Sequence, residues 1–318
     1  MTRVLVALGG NAIKQPREAG TEAEQLANIR RTSAQIARIV AVGNDVVVTH
    51  GNGPQVGNIL VQNELARDVI PPMPLDVCGA QSQGQIGYLM QQALTSEFRR
   101  QGIDREVVTV LTQTEVDPLD SALRKPSKPV GPFRSADEAR ERMNRGETWV
   151  EDAGRGWRRV VPSPKPLAII EAAAIARLHD AGAVVIAAGG GGVPVVRKDG
   201  ALVGVEAVID KDLAAARLAE QLGMEVLLIL TDVEGVALDF GRPEQRFLGR
   251  VSAADLERLL RRGKFPAGSM RPKVQAAVEF LRVGGQRAVI CSLGAAVQGL
   301  AGDAGTQVVG EPRARRAA

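Results

Sequence analysis

Residues 46–58, VVVTHGNGPQVGN, run from a block of valines through a histidine into glycine, asparagine and proline, and then into a helical pattern. A β-branched run with no polar alternation is the form taken by a strand buried on both faces of a parallel sheet. The turn after it is almost entirely backbone. Glycine lets peptide N–H groups approach an anion closely, and a helix starting just after the turn adds the positive end of its dipole. The stretch holds no lysine of the Walker kind, so a cation for such an anion has to come from elsewhere in the chain.

The same strand-then-helix reading extends outward in both directions. Short apolar runs recur at 3–8, 45–50, 106–112, 183–188, 225–230 and 287–292. Between most of them lie helical patterns, predicted over 21–42, 54–67, 76–101, 167–181, 211–222, 252–262 and 272–283. The first is opened by Thr21 with Glu24 three residues on, a capping-box signature, and Leu26, Ile29, Ile36, Ile39 and Val40 share one stripe of it. Right-handed crossovers between parallel strands then predict an α/β fold: a three-layer αβα sandwich around a mostly parallel central sheet.

One segment breaks the alternation. Over 114–166 the apolar runs vanish, prolines and charges accumulate, and both tryptophans of the chain appear. It is expected to be an inserted lobe within a single domain spanning 1–318, with a small helix at 135–144 and a hairpin at 147–161. Composition alone leaves open whether the lobe is a lid over a site or a surface decoration.

Composition narrows the function. The net charge of +4 is mild and aromatic residues make up 3%, so neither a basic nucleic-acid stripe nor a base-stacking platform is suggested. No run approaches a membrane span, and the opening MTRVLVALGG is too soon interrupted for a signal peptide, which predicts a soluble cytoplasmic protein. Cys78 and Cys291 are far apart and are expected to be small buried hydrophobes in a reducing compartment. Two distant cysteines and two distant histidines, His50 and His179, cannot make a structural zinc site. His179, in a helical pattern, is expected at the surface. His50, ending a strand, is expected to organise its loop by a hydrogen bond rather than to move a proton. The basic tail PRARRAA is expected to fray in solvent.

In an open parallel sheet, ligands bind beyond the carboxyl ends of the strands. There the chain places LGGNAI (8–13), THGNGPQVGN (49–58) and AAGGGGVPVV (187–196). One glycine-rich turn is ordinary turn chemistry; three after three strands point to an anion site. Two lysines are placed to serve it. Only eight of the 40 basic residues are lysines, so a lysine inside a motif asks for a reason. Lys211, between Asp210 and Asp212, and Lys273, after Pro272 and Ser269, both stand at predicted helix starts. A cation there is electrostatically disfavoured unless an anion compensates it.

LGGNAI, THGNGPQVGN, PLDVCGAQSQGQIGY, KPSKPVGPF, RRVVPSPKP, AAGGGGVPVV, GVEAVIDKD, TDVEGV and FPAGSMRPKV, in this order, closely resemble the carbamate kinases of the amino acid kinase family. The resemblance covers residues 3 to about 309. It implies that Lys211 and Lys273 contact the transferred phosphoryl group, that Asp212 orients them, and that Lys128 reaches the site from the protruding lobe, which would make the lobe a lid. It assigns carbamate and phosphate binding to Gly9, Gly10, Asn11, Gly51, Asn52 and Gly53, and nucleotide binding to Thr231, Asp232 and Val233. It further implies ATP or ADP with magnesium held mainly through the nucleotide's phosphates, carbamate or carbamoyl phosphate as the other substrate, and a homodimer. Ala7 stands where acetylglutamate kinases offer a lysine, Arg134 where an aromatic is expected, and Arg271 where a smaller or uncharged residue is more usual. Another acid or phosphate kinase of the same fold, or a nucleotide-binding regulator without catalysis, is separated from this reading by a substrate panel.

Overall fold

Six of the apolar runs become strands, and they pair with one another across long stretches of chain. In the computed structural model, which describes residues 1–152, 154–265 and 270–310, an eight-stranded sheet runs Arg250–Ser252, Thr306–Val309, Arg287–Ser292, Val226–Thr231, Arg3–Leu8, Asp45–His50, Val184–Ile186 and Val107–Thr109. Every pairing is parallel except that of Arg287–Ser292 with Thr306–Val309. Arg3–Leu8 sits in the middle, with Leu5 between Leu227 and Val47.

Alternate residues of that strand show why it needs apolar side chains at every position. Leu5 and Ala7 enter one core, with Ile175, Leu218 and Phe280 from helices on that face. Val4, Val6 and Leu8 enter the other, with Ile29, Ile36, Ile86 and Phe98. Burial on both faces gives the αβα sandwich expected from the run pattern. The helices begin where their caps say they should. Thr21 and Glu24 form both halves of the capping box on Glu22–Ala41, and Ser135 with Glu138 does the same on Ala136–Met143. Among the described residues no helix is long and apolar enough to cross a membrane. Both cysteines are free and buried.

Three expectations are corrected. The helix expected over 167–181 is shortened to Ala172–Asp180, because Pro166–Ile169 is a strand. This stretch pairs antiparallel with Gln113–Val116 in a second sheet, which takes it out of the helix. The other two strands of that sheet are Val193–Lys198 and Ala201–Gly204. The two ends of the 114–166 segment therefore pair with each other, and the first of them pairs with Val193–Lys198 of the body. The separate lobe is residues 128–161: Lys128–Arg134, Gly156–Val161 and Trp149–Asp152 in a three-stranded sheet, with the Ala136–Met143 helix. His179, expected at the surface, is 1% exposed, with Nε2 3.1 Å from Asp45 Oδ2. Its helix turns it beneath the sheet's amino-terminal edge, and burial pushes its pKa down against the opposing pull of Asp45. Ser269, read as a helix-start marker, and the tail 312–318 lie outside the described residues.

The lobe docks on the body through a small apolar cluster in which Val130 and Val161 meet Val56, Leu75 and Cys78. Arg142 and Arg134 of the lobe also pair with Glu64 at the end of the Gly53–Leu65 helix. Arg134 thus has an ionic job where an aromatic was expected.

Candidate active site

Six sheet strands end at one rim, at Leu8, His50, Thr109, Ile186, Thr231 and Ser292. Beyond three neighbouring ends opens a cleft of about 430 Å³. Gly9, Gly10 and Asn11 line it from the first strand, Thr231 and Asp232 from the next, and Ser292 and Leu293 from the third. Lys211 and Lys273 reach the same cleft from opposite parts of the chain.

Two helix starts deliver the lysines. Asp210 caps Lys211–Gln221 by accepting the N–H groups of Asp212 and Leu213. Lys273 projects from the first turn of Met270–Arg282. Asp212 lies between them, 3% exposed. Its Oδ1 accepts from Lys211 Nζ at 2.6 Å and its Oδ2 from Lys273 Nζ at 3.0 Å. Burial by itself would push the Asp212 carboxyl up; the two ammonium groups outweigh it and hold the pKa at about 2. Burial and the neighbouring Lys273 push Lys211 below the usual lysine range, with Asp212 pulling the other way. Two ammoniums share one carboxylate, so the cluster keeps a net positive charge facing the cleft. Both lysines come from the first turn of their helices, the end that carries partial positive charge.

Gly51 stands behind this cluster. A Cβ there would come within 3.3 Å of Lys211 Cδ and 3.5 Å of the Gly10 backbone, so a side chain would press on the lysine's stem. Asn52 is buried, donates to Ser82 Oγ at 2.8 Å, and abuts Gly190, whose hypothetical Cβ would lie 2.1 Å from Asn52 Nδ2. Gly190 has φ +65, so that loop needs glycine on two counts. The Gly189–Gly191 turn, which has the composition of a third anion cradle, is buried and packs against His50, Asn52 and Ile209. Its glycines serve close packing behind the site. Gly53 opens the Gly53–Leu65 helix, and Val233 comes directly after the cleft-lining Asp232; the cleft's lining includes neither, nor Gly51, Asn52 or Lys128. Lys128 stands off on the lobe, 2.6 Å from Asp210 Oδ2. Arg271, which stands where a smaller or uncharged residue is more usual, is an exposed residue of the helix's first turn.

Gln15, Ser292 and Leu293 line the cleft although no sequence motif marks them. Gln15 Nε2 donates to Asn11 O at 2.6 Å and steadies the glycine loop. Ser292 closes a predicted strand, so the rule that ligands gather at strand carboxyl ends is the signal for it.

The chain belongs to the amino acid kinase family. That family's profile matches residues 2–292. Within the amino acid kinase family the similarity is to carbamate kinases. The carbamate kinase of Thermococcus kodakarensis is 52% identical over 315 residues, covering 98% of this chain and all of its own. That of Trichomonas vaginalis is 44% identical, covering 96% of this chain and 99% of its own. The structure of carbamate kinase from Giardia lamblia bound to AMP-PNP superposes with a TM-score of 0.92 at 46% identity, over 98% of this chain and 99% of that one.

His50, behind the cleft, is 1% exposed, and its Nδ1 lies 2.9 Å from Gly51 O. Burial pushes its pKa down to about 4, the loop hydrogen bond opposing and Lys211 assisting. It is therefore neutral near pH 7 and organises its loop, as expected. Above about pH 6.5 neither folded nor unfolded His50 binds a proton; below that the unfolded form does and the folded form does not, until pH approaches 4. Stability is lost as pH falls through that window. Between pH 7 and 5 the wild-type protein should lose about 2 kcal/mol more than His50→Gln in urea unfolding. Equal losses would show that His50 titrates normally.

Proposed function

We propose that this chain transfers a phosphoryl group between ATP and carbamate, running carbamoyl phosphate plus ADP to ATP plus carbamate or the reverse. The observation that carries the proposal is the pair Lys211 and Lys273, brought from sixty-odd positions apart onto one carboxylate at a glycine-lined rim. Identity of 44–52% with carbamate kinases over nearly the whole chain supports the choice of substrate.

The chemistry suits what these residues can do. Phosphoryl transfer passes through a loose transition state whose charge is spread over three oxygens, so a protein contributes mainly position and positive charge. The ammonium groups of Lys211 and Lys273 meet the equatorial oxygens, and Asp212 holds both at fixed separation. The peptide groups of Gly9 and Gly10, with the side chain of Asn11, border the carbamate and phosphate, and Gly51, Asn52 and Gly53 support them from behind the cleft's lining. Thr231, Asp232 and Val233 border the nucleotide. Carbamate attacks as an anion, so no base has to remove a proton; a neutral, buried His50 is consistent with this.

Magnesium belongs to the same reading. Among the described residues no group of three or more histidine, cysteine, aspartate or glutamate side chains stands together, and Asp232 is the one carboxylate in the cleft's lining. That donor set fits an ion held mainly by nucleotide phosphates and water, with Asp232 placed to accept from its water shell. When bound, the ion would neutralise charge on the β- and γ-phosphates. The lobe as a lid carrying Lys128, assembly as a homodimer and a cytoplasmic location complete the proposal.

A coupled assay for ATP formed from carbamoyl phosphate, ADP and magnesium tests it. Turnover with carbamoyl phosphate and none with acetylglutamate or a nucleoside monophosphate is expected. Turnover with one of those acceptors alone would move the chain to another branch of the family, and tight ADP binding without transfer to any acceptor would make it a regulator.

A further inference from the structure

In the sequence Asp210 stands out only as a neighbour of Lys211, yet the fold gives it two duties. Its Oδ1 accepts the backbone N–H of Asp212 at 3.0 Å and of Leu213 at 3.4 Å, capping the helix that carries Lys211 and Asp212. Its Oδ2 accepts from Lys128 Nζ of the lobe at 2.6 Å. The side chains are 12% and 31% exposed, so the contact is partly shielded from solvent. One carboxylate therefore joins the lobe to the helix end that forms the cleft's cationic wall. The lobe's other ionic anchor, Arg142 on Glu64, lies near the far end of the Gly53–Leu65 helix, about 17 Å along it from Gly53.

We propose that Asp210 is a positioning residue: fixed by the helix amino terminus, it holds the ammonium of Lys128 at the rim and presents it to the transferred phosphoryl group. The inference rests on the reading of the cleft as a phosphoryl-transfer site. A lysine ammonium has three donors, so one can stay on Asp210 while two face phosphate oxygens. Lysine is long and rotamer-rich, and a Lys128 restrained before substrate arrives loses less freedom when it binds. The carboxylate cannot follow Lys128 inward, because its other oxygen is tied to two peptide groups. Asp210 thus links the lobe's position to that of Lys211 and Asp212.

Asparagine caps helices as well as aspartate, so Asp210→Asn keeps the cap and removes the charge. Asp210→Ser, which also caps, is the second variant should the amide disturb folding. With the full chain, Asp210→Asn is expected to raise KM for carbamoyl phosphate about tenfold, the loss of one charge-assisted contact, while KM for ADP changes less than twofold. Lys128→Met should show the same split. In the Lys128→Met background, Asp210→Asn should add less than a factor of two. Three outcomes overturn the proposal. A lower KM for carbamoyl phosphate would mean that Asp210 competes with substrate for Lys128. An equal rise in both KM values, or the full tenfold effect persisting without Lys128, would mean that Asp210 matters only to the helix. Hydrogen exchange in the unliganded protein separates this from the functional reading. The amides of Val130, Gly131, Phe133 and Arg134 should exchange several-fold faster in Asp210→Asn and Lys128→Met alike; unchanged exchange removes the tether even if carbamoyl phosphate is turned over. If the wild type turns over no carbamoyl phosphate, the assignment of the reaction fails while the exchange result still decides the contact.

Discussion

Lys211→Ala and Lys273→Ala are each expected to lower turnover of carbamoyl phosphate by about 10²-fold or more, on the order of 3 kcal/mol of transition-state stabilisation. The size reflects the site's construction. Both lysines line the cleft, and among the described residues lining it no other lysine or arginine is present to stand in. Side chains 18% and 10% exposed act in a medium that screens them poorly, so charge developing on the phosphoryl oxygens feels them strongly. The loss should fall mainly on kcat, because the charge they meet is most dispersed in the transition state. The double variant should cost less than the product of the two, since removing one lysine already takes away one of the two cations held on Asp212 and disturbs the other. Steady-state kinetics of the single and double variants check this. Falls below tenfold for both would remove them from the reaction.

Asp212→Asn is expected to harm stability and turnover together. The carboxylate accepts from both ammoniums in a nearly closed setting, and its amide replacement leaves two like charges facing each other with nothing between them. Breaking a buried ion pair by removing one partner costs about 3–5 kcal/mol. For a chain of this size the melting temperature should drop by roughly 4–8 °C. The pKa of about 2 puts the carboxylate's contribution in full above about pH 4, fading only as pH falls towards 2, so the deficit should be constant across neutral buffers. Added phosphate should restore more stability to the variant than to the wild type, because an anion in the cleft compensates the uncovered ammoniums. Melting curves with and without phosphate, beside turnover reduced about 10²-fold or more, are the check. A variant as stable as the wild type would mean that the lysines are neutral or point apart.

Much of the fold and of the site is legible in the amino-acid sequence alone. Unbroken β-branched runs specify strands buried on both faces, because few other environments accept valine at successive positions; all six runs are strands of the main sheet. The scarcity of lysine makes Lys211 and Lys273 conspicuous, and their positions at helix starts require a compensating anion. The features that stay hidden depend on pairing between distant segments. Pro166–Ile169 reads locally as the start of an apolar helix, and only its partner Gln113–Val116 makes it a strand. His179 sits in a polar-looking helix end, and its burial comes from where that helix lands beside Asp45. Gly189–Gly191 offers the composition of an anion cradle, yet the side chains of His50 and Asn52 occupy the space its missing Cβ atoms leave. Asp210 reads only as a neighbour of Lys211; its helix cap comes from the fold, and its second role needs a lobe that departs from the chain eighty-two positions earlier.

The most direct measurement is a crystal structure with magnesium, ADP and tetrafluoroaluminate, a planar mimic of the phosphoryl group in flight. The account predicts the mimic in the cleft beyond Leu8 and Leu230, with Lys211 Nζ and Lys273 Nζ both within about 3 Å of its fluorines. A mimic bound elsewhere, or one that either ammonium fails to touch, would contradict it.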